Sequence, residues 1–316
     1  MESESAFEWF VLYVLPLLIL CFGLIGNTMG IVVLARKKMD EIGPLNIYRY
    51  IFIFDSIYIL TIIVYYLQYS FSIDYIFSFN LTCKFFVYFV STFSPISSLL
   101  LIYILIERYL SISYPVESNI LNKNKIQSAY LIIIMILNLA YYSPVLYYYR
   151  SELKVNSTLN NYNRYHNDCN SDSNGKHIIS ILSFISKALL PLFLIILFSI
   201  ILVYKIIKSK SSIATFYSDK ERLIFKKDVK LSIISIFFNL IQFSFYLPLI
   251  FAHIISDQID VTLLFTLYIY YFSYAFNFYF LLVSNSLFRN EFWDIFIKKK
   301  PENNNQDTLL INLNQN

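Results

Sequence analysis

The sequence predicts an all-α membrane protein: a seven-transmembrane helix bundle followed by a short amphipathic eighth helix. Three observations predict it. Apolar residues make up 57% of the 316-residue chain and charged residues 15%, whereas a soluble domain carries roughly a quarter charged residues. The apolar residues are gathered in seven blocks, each near the roughly 20 residues that a helix needs to span a bilayer. Lys and Arg are concentrated on alternate connecting segments.

The blocks are 9–34, 47–69, 83–110, 126–148, 178–207, 229–255 and 262–284. Lipid offers no partner to a backbone N–H or C=O, so each block is expected to be helical. Breaks are expected at Pro16, Pro95, Pro144, Pro191 and Pro248, where a helix loses a donor and meets a ring clash. The first block is too long for a signal-peptide core, and Met1–Glu8 carries three Glu and no Lys or Arg. It is read as an uncleaved helix with an extracellular N-terminus over 1–8, and the transmembrane domain then runs from 9 to 285.

With that orientation, 19 of the 25 Lys and Arg fall on inner segments and five on outer ones: Lys84, Arg150, Lys154, Arg164 and Lys176. Lys187 lies within the fifth block. The bias follows the positive-inside rule, so the net charge of +4 is a topology signal and gives no nucleic-acid footprint. The glycosylation sequons at Asn80 and Asn156 both fall on outer segments.

Of the three cysteines, Cys21 sits in the first block as a small hydrophobe. Cys83 opens the third helix on the outer side, and Cys169 lies in the long outer loop 149–177. Facing an oxidising compartment, these two can pair or remain free thiols. Cys83 to Arg108 is about 37 Å of helix, which puts them at opposite membrane faces. Glu107-Arg108-Tyr109 then closes the apolar run ahead of Pro115.

These features resemble the rhodopsin-like (class A) G-protein-coupled receptors, and the resemblance covers all seven helices. Gly26-Asn27 and Asp55 match the family's residues of helices 1 and 2. Cys83 and Cys169 match its disulfide, Glu107-Arg108-Tyr109 its E/DRY motif, Pro191 and Pro248 its helix 5 and helix 6 prolines, and Asn277 the first residue of NPxxY. Pro95-Ile96-Ser97-Ser98 together with Glu107-Arg108-Tyr109 is similar to invertebrate peptide-type or orphan receptors. The chain departs from the family at several places. No Trp lies in 126–148. The helix 6 motif reads Phe245-Tyr246-Leu247-Pro248. NPxxY reads Asn277-Phe278-Tyr279-Phe280-Leu281, and Ser199 takes the place of an inner tyrosine on helix 5.

The resemblance implies a receptor that activates a heterotrimeric G protein on binding an extracellular ligand. Asp55, an ionisable residue in an apolar run, is a functional hypothesis by default. With Asn27, Ser97, Ser273 and Asn277 it would form a polar hub around an allosteric sodium ion; the plainer reading is a protonated or water-bridged Asp that links helices. No other cofactor is implied. Arg108, bridging Glu107 and Asp228, would tether helices 3 and 6 in the inactive state, although Asp228 among lysines also reads as a surface carboxylate. Tyr109, Tyr246 and Pro248 complete the activation switch. Val116 matches the apolar inner-loop residue that plugs into the G protein.

For the ligand pocket the resemblance points to Val90, Lys187 and His253. Val90 stands where amine receptors carry Asp, and helix 7 holds no Lys for a retinal Schiff base. Lys187 would meet a carboxylate or other anion, or would snorkel or pair internally. The outer loop, rich in Asn, Tyr and Ser, suits an open vestibule for a peptide.

Phe288, Phe292 and Phe296 recur at i, i+4, i+8 ahead of Lys298–Lys300, an interfacial helix over 286–298 beside anionic lipid headgroups. The polar tail 299–316 reads as disordered. Regulatory phosphorylation is expected at Ser209, Ser211, Ser212, Thr215 or Ser218.

No phosphate loop, metal-spaced cluster or nucleophile motif is present, so the chain does not read as an enzyme. Two other readings stand beside a coupled receptor. One is a receptor-like protein with weak or no coupling, given the altered motifs. The other is a small transporter, which would show internal repeats and broken, charged helices.

Overall fold

The computed structural model describes residues 6–42, 45–71, 73, 77–113, 124–156, 164–216, 219–255 and 261–297. Val116, Ser218 and the tail 298–316 lie outside the described residues. So do the side chains of Asp228, His253, Asn156, Ser209, Ser211, Ser212 and Thr215.

Seven helices are long and apolar enough to cross a membrane. They are α1 (Ala6–Leu34), α2 (Leu45–Phe71), α3 (Asn80–Ser113), α4 (Asn124–Tyr148), α5 (Ser173–Lys208, its helix continuing to Phe216), α6 (Asp219–Ile255) and α7 (Val261–Ser284). The short helix α8 (Ser286–Phe296) follows. Several helices outrun their apolar blocks, most clearly α6, which begins ten residues before residue 229. An apolar block marks what lipid must cover. The helix itself runs on through charged residues because its backbone bonds are internal.

Four of the five expected breaks interrupt the regular pattern. Ahead of Pro16 and Pro191 the helix widens to π turns, Phe10–Val14 and Ile185–Leu189. There the N–H groups of Leu15 and Leu190 reach back five residues to the carbonyls of Phe10 and Ile185. A proline cannot donate to the carbonyl four residues back, so the preceding turn re-pairs instead. Turns also mark Ser94-Pro95 and Tyr142-Ser143, whereas Pro248 is carried inside a continuous helix.

α3 is the centre of the bundle: 72% of its most apolar window is buried, against 22% for α4 and 17% for α5. It packs on α5, α6 and α2, while α1 packs on α2 and α7. The close approach of α1 rests on glycine. A Cβ at Gly30 would fall 2.6 Å from the Phe52 ring, and one at Gly23 would fall 2.5 Å from Ile59. Leu17, Phe22, Ile25, Ile133, Ile136, Leu137, Phe193 and Ile200 point outward and are exposed. So wide an apolar surface requires a lipid solvent. Trp9 on α1 and Trp293 on α8, the chain's two tryptophans, are both exposed.

In the segment 149–177, expected to be a long outer loop, the described residues form an antiparallel pair of strands, β1 (Tyr149–Asn156) and β2 (Arg164–Ser171), followed by the first turn of α5. In its register Ser151 faces Cys169. Cys169 is bonded to Cys83 with Cα atoms 5.5 Å apart. Beside that bond Ser151 Oγ donates to Phe77 O (2.5 Å) and Ser151 N donates to Asn80 Oδ1 (3.3 Å). The hairpin is therefore fixed to the head of α3 covalently and by two hydrogen bonds.

At the other end, inner helix termini are closed by arginines. Arg49 Nη2 donates to Leu34 O (2.6 Å), and Arg289 Nη1 donates to Val283 O (2.8 Å). Asn285 caps α8, accepting from the N–H groups of Leu287 and Phe288. Phe288 is fully buried against Phe278, Phe292 also packs on Phe278, and Phe296 remains exposed.

Candidate functional site

Five groups of residues are found along the bundle. The outermost is the hairpin over α3. Asn80, the first glycosylation candidate, is exposed at the start of α3.

Below it lies a small cavity of about 20 Å³ between α3, α5, α6 and α7, whose polar lining is Ser98, Lys187, Asn239, Gln242, Tyr246 and Tyr270. Lys187 is carried in the π turn of α5 and lies 6.0 Å from the centre of the Tyr142 ring. Val90 is buried nearby in the apolar cluster that also holds Tyr58, Tyr246 and Tyr270. Of the three residues expected in the ligand pocket, Lys187 lines the cavity and Val90 does not.

Sharing Tyr246 and Tyr270 with this cavity is a group of tyrosines of which the sequence singled out only Tyr246. Tyr58 of α2 stacks on Tyr271 with centroids 4.7 Å apart and lies 4.5 Å from Tyr274. The Tyr270 hydroxyl shares a hydrogen bond with Ser94 Oγ (2.6 Å) and another with the Tyr274 hydroxyl. Tyr274 donates to Ser94 O (2.8 Å), and Thr61 Oγ1 bonds the Tyr271 hydroxyl (2.7 Å). Tyr246, in the place of the family's helix 6 Trp, packs 4.8 Å from Tyr270. These rings bind α2, α3, α6 and α7 together. A buried network of this kind holds one arrangement only while every hydroxyl has a partner. The usable signal in the sequence is the recurrence of Tyr270, Tyr271 and Tyr274 at i, i+1, i+4 on one helix.

Asp55 is fully buried beneath them. Its Oδ1 accepts from Ser97 Oγ (2.5 Å), and its Oδ2 accepts from Asn277 Nδ2. The Ser273 hydroxyl, also buried, donates to Tyr270 O (2.7 Å). Asn27 turns its Nδ2 to Tyr274 O (3.4 Å). The amide oxygens Asn27 Oδ1 and Asn277 Oδ1 are buried and without partners among the described residues. The Asp55 carboxylate, the Ser97 hydroxyl and the orphaned Asn277 oxygen are hard donors of the kind that suit a sodium ion. Without proline at 278, α7 runs unbroken from Val261 to Ser284 past this point. Phe280, in the place before the lost tyrosine, stacks on Phe238 of α6 at 4.7 Å.

At the inner end Arg108 Nε lies 2.8 Å from Glu107 Oε2, with both residues buried. Tyr109 is half-buried. Tyr48 of α2 lies against this pair and shares a hydrogen bond with Ser235 of α6. So α2, α3 and α6 converge around the arginine. The expected Arg108–Asp228 tether falls on a side chain outside the described residues.

Beside this end an ionic cluster, also not foreseen, joins α8 to the 3₁₀ turn Lys37–Ile42 after α1. Glu291, 2% exposed, is held by Arg36 Nε (2.7 Å) and Lys38 Nζ (3.2 Å).

The Cys83–Cys169 bond, the hydrogen bonds of Asp55 to Ser97 and Asn277, and the buried Glu107–Arg108 pair at the foot of α3 are thus on one chain. A comparison with curated proteins found no match. The model of the seven-transmembrane receptor (rhodopsin) family matches residues 26–279, four-fifths of the chain and all but the first part of α1, the end of α7, α8 and the tail. The chain therefore belongs to the rhodopsin family of seven-transmembrane receptors.

Proposed function

We propose that this multi-pass plasma-membrane receptor, N-terminus outside, binds an extracellular peptide beneath the hairpin and activates a heterotrimeric G protein at the foot of α3. The observation that carries the reading is the buried Glu107–Arg108 pair, where α2, α3 and α6 meet. A buried arginine paired with a buried carboxylate is a bistable contact that a ligand can bias. Release of Arg108 from Glu107 exposes a guanidinium to the G protein, with Val116 on the inner loop as the adjoining apolar contact, and a tether of Arg108 to Asp228 would couple that release to α6. The peptide reading is supported by the polar hairpin held over the bundle and by the absence of a carboxylate at Val90 for an amine.

In cells expressing the receptor, a panel of synthetic peptides with a G-protein nucleotide-exchange readout tests this. Peptide-driven exchange is expected to fall at least about tenfold in Arg108→Ala at unchanged surface expression, since a charge-assisted contact contributes roughly 1.4 kcal/mol or more. A response that survives the substitution removes Arg108 from the mechanism.

A sodium ion at Asp55 is part of the same proposal. Asp55 and Ser97 would hold it, with Asn277 and Asn27 offering their unpaired oxygens. When bound, the ion supplies a positive charge that keeps Asp55 ionised. For purified receptor in nanodiscs, the unfolding midpoint is expected to be a few degrees higher in sodium than in N-methylglucamine chloride. Asp55→Asn is expected to erase that difference; equal midpoints in the wild type exclude the site.

A second reading, a receptor with weak coupling, is favoured by the unbroken α7 and by Phe280 locked against Phe238. Low exchange under every peptide, with normal folding, distinguishes it.

A further inference from the structure

Three consecutive residues near the start of α2 reach three different neighbours. Side chains one residue apart on a helix point about 100° apart, so each can serve its own helix. Arg49 Nη2 donates to Leu34 O at the end of α1, and its Nη1 donates to Asn46 Oδ1 (3.1 Å). The Tyr50 hydroxyl shares a hydrogen bond with Ser128 Oγ of α4 (2.9 Å). Tyr48 turns the third way, to Ser235 of α6 and to the Glu107–Arg108 pair of α3. The inner end of α2 is therefore fixed to α1 and α4, and Tyr48 is mounted on that fixed base.

α6 packs chiefly on α7, α3 and α5. Its inner half rests on α7 through Phe238, stacked on Phe280. Apolar contact of that kind is non-directional and tolerates small displacements. A hydrogen bond does not survive a separation past about 3.5 Å. The Tyr48–Ser235 bond is thus the contact that distinguishes one position of α6 from another. Both residues are buried, at 8% and 4% exposure. A phenylalanine would fill this place equally well, and a buried hydroxyl costs free energy unless it is bonded. Ser199 and Leu281 stand where the resemblance would put inner tyrosines, so this phenol comes from a helix to which the resemblance did not point.

We propose that Tyr48 is a positioning residue for the inner site: anchored on α2, its hydroxyl latches Ser235 of α6 and keeps α6 closed over the Glu107–Arg108 pair. This rests on the receptor reading above and adds which contact sets the closed fraction in the absence of ligand.

Opening of α6 can be read without a G protein. Ser232 is fully buried and lies three residues from Ser235, on the same face of α6. Cys21 is the chain's one unpaired cysteine. In a Cys21→Ala background, the thiol of Ser232→Cys reacts with a water-soluble maleimide only when α6 parts from the bundle. For the full chain in lipid nanodiscs, Tyr48→Phe is expected to raise the labelling rate about fivefold, the weight of one hydrogen bond. Ser235→Ala should give the same rise, and the two together no more than either alone. Ser235→Thr, which keeps the hydroxyl, should label at the wild-type rate. Unstimulated nucleotide exchange on the G protein should rise by the same factor in Tyr48→Phe.

A tyrosine that only fills the core would lower the unfolding midpoint and leave labelling unchanged. An unchanged rate in Tyr48→Phe, or rises that multiply in the double variant, therefore overturns the latch and leaves the receptor reading intact. Faster labelling without nucleotide exchange in any variant upholds the latch and overturns the coupling reading instead.

Discussion

Cys83→Ser is expected to destabilise the folded receptor by about 2–4 kcal/mol and to sharply lower its surface level. The bond closes a loop of 86 residues. In solution a loop of this size contributes about 4–5 kcal/mol by restricting the unfolded chain. Here the loop contains most of α3 and all of α4. An unfolded state in which those helices remain inserted is already restricted, so the lower range applies. Enthalpy is also lost locally, because the bond sets the hairpin where Ser151 reaches Phe77 and Asn80. Cys169→Ser is expected to match Cys83→Ser, and the double variant to be no worse than either, because all three remove one bond. Midpoints in nanodiscs check this. Single variants within about 0.5 kcal/mol of the wild type would show that the non-covalent contacts of the hairpin suffice.

The second large effect concerns α8. Arg36→Ala is expected to cost about 2–3 kcal/mol in the docking of that helix, and Glu291→Gln about 1 kcal/mol. The asymmetry follows from burial. Glu291 is 2% exposed, whereas the Arg36 and Lys38 side chains are 34% and 67% exposed. Removing Arg36 strands a carboxylate with only Lys38, and it also removes the Arg36 Nη1 bond to Glu291 O (3.1 Å). Neutralising Glu291 instead leaves two cations that water can solvate. Amide hydrogen exchange across 286–296 measures the docking equilibrium directly. The double variant is expected to resemble Glu291→Gln. If Glu291→Gln loosens α8 as much as Arg36→Ala does, the pair is not held as described.

What was legible in the sequence was whatever depends on local composition or on one residue type at one depth. The seven spans come from block length. The resemblance supplied the Cys83–Cys169 bond and the partnership of Asp55 with Ser97 and Asn277. The Ser273 hydroxyl donates one turn back on its own helix. The hairpin was not legible. Asn, Asp and Ser are poor strand formers, and its register is held by a bond to a residue 86 positions away. The tyrosine cluster was hidden for a different reason. In a chain with 28 tyrosines, each counts as apolar in a hydropathy reading. Which hydroxyls meet depends on the rotation of α2, α3 and α7 about their axes. The Glu291 cluster likewise joins residues more than 250 positions apart, with no pattern in either segment to announce it.

The placement of the two tryptophans has a practical consequence. The bundle interior is aromatic throughout, yet it holds Tyr and Phe, while Trp9 and Trp293 stand exposed at opposite ends. Indole emission excited at the red edge of the spectrum therefore comes from the two rims and not from the core. Trp9→Phe leaves a protein whose fluorescence reports on α8 alone, and Trp293→Phe leaves one that reports on the head of α1. The receptor carries an optical label at each end, and reading either requires one conservative substitution and no attached dye.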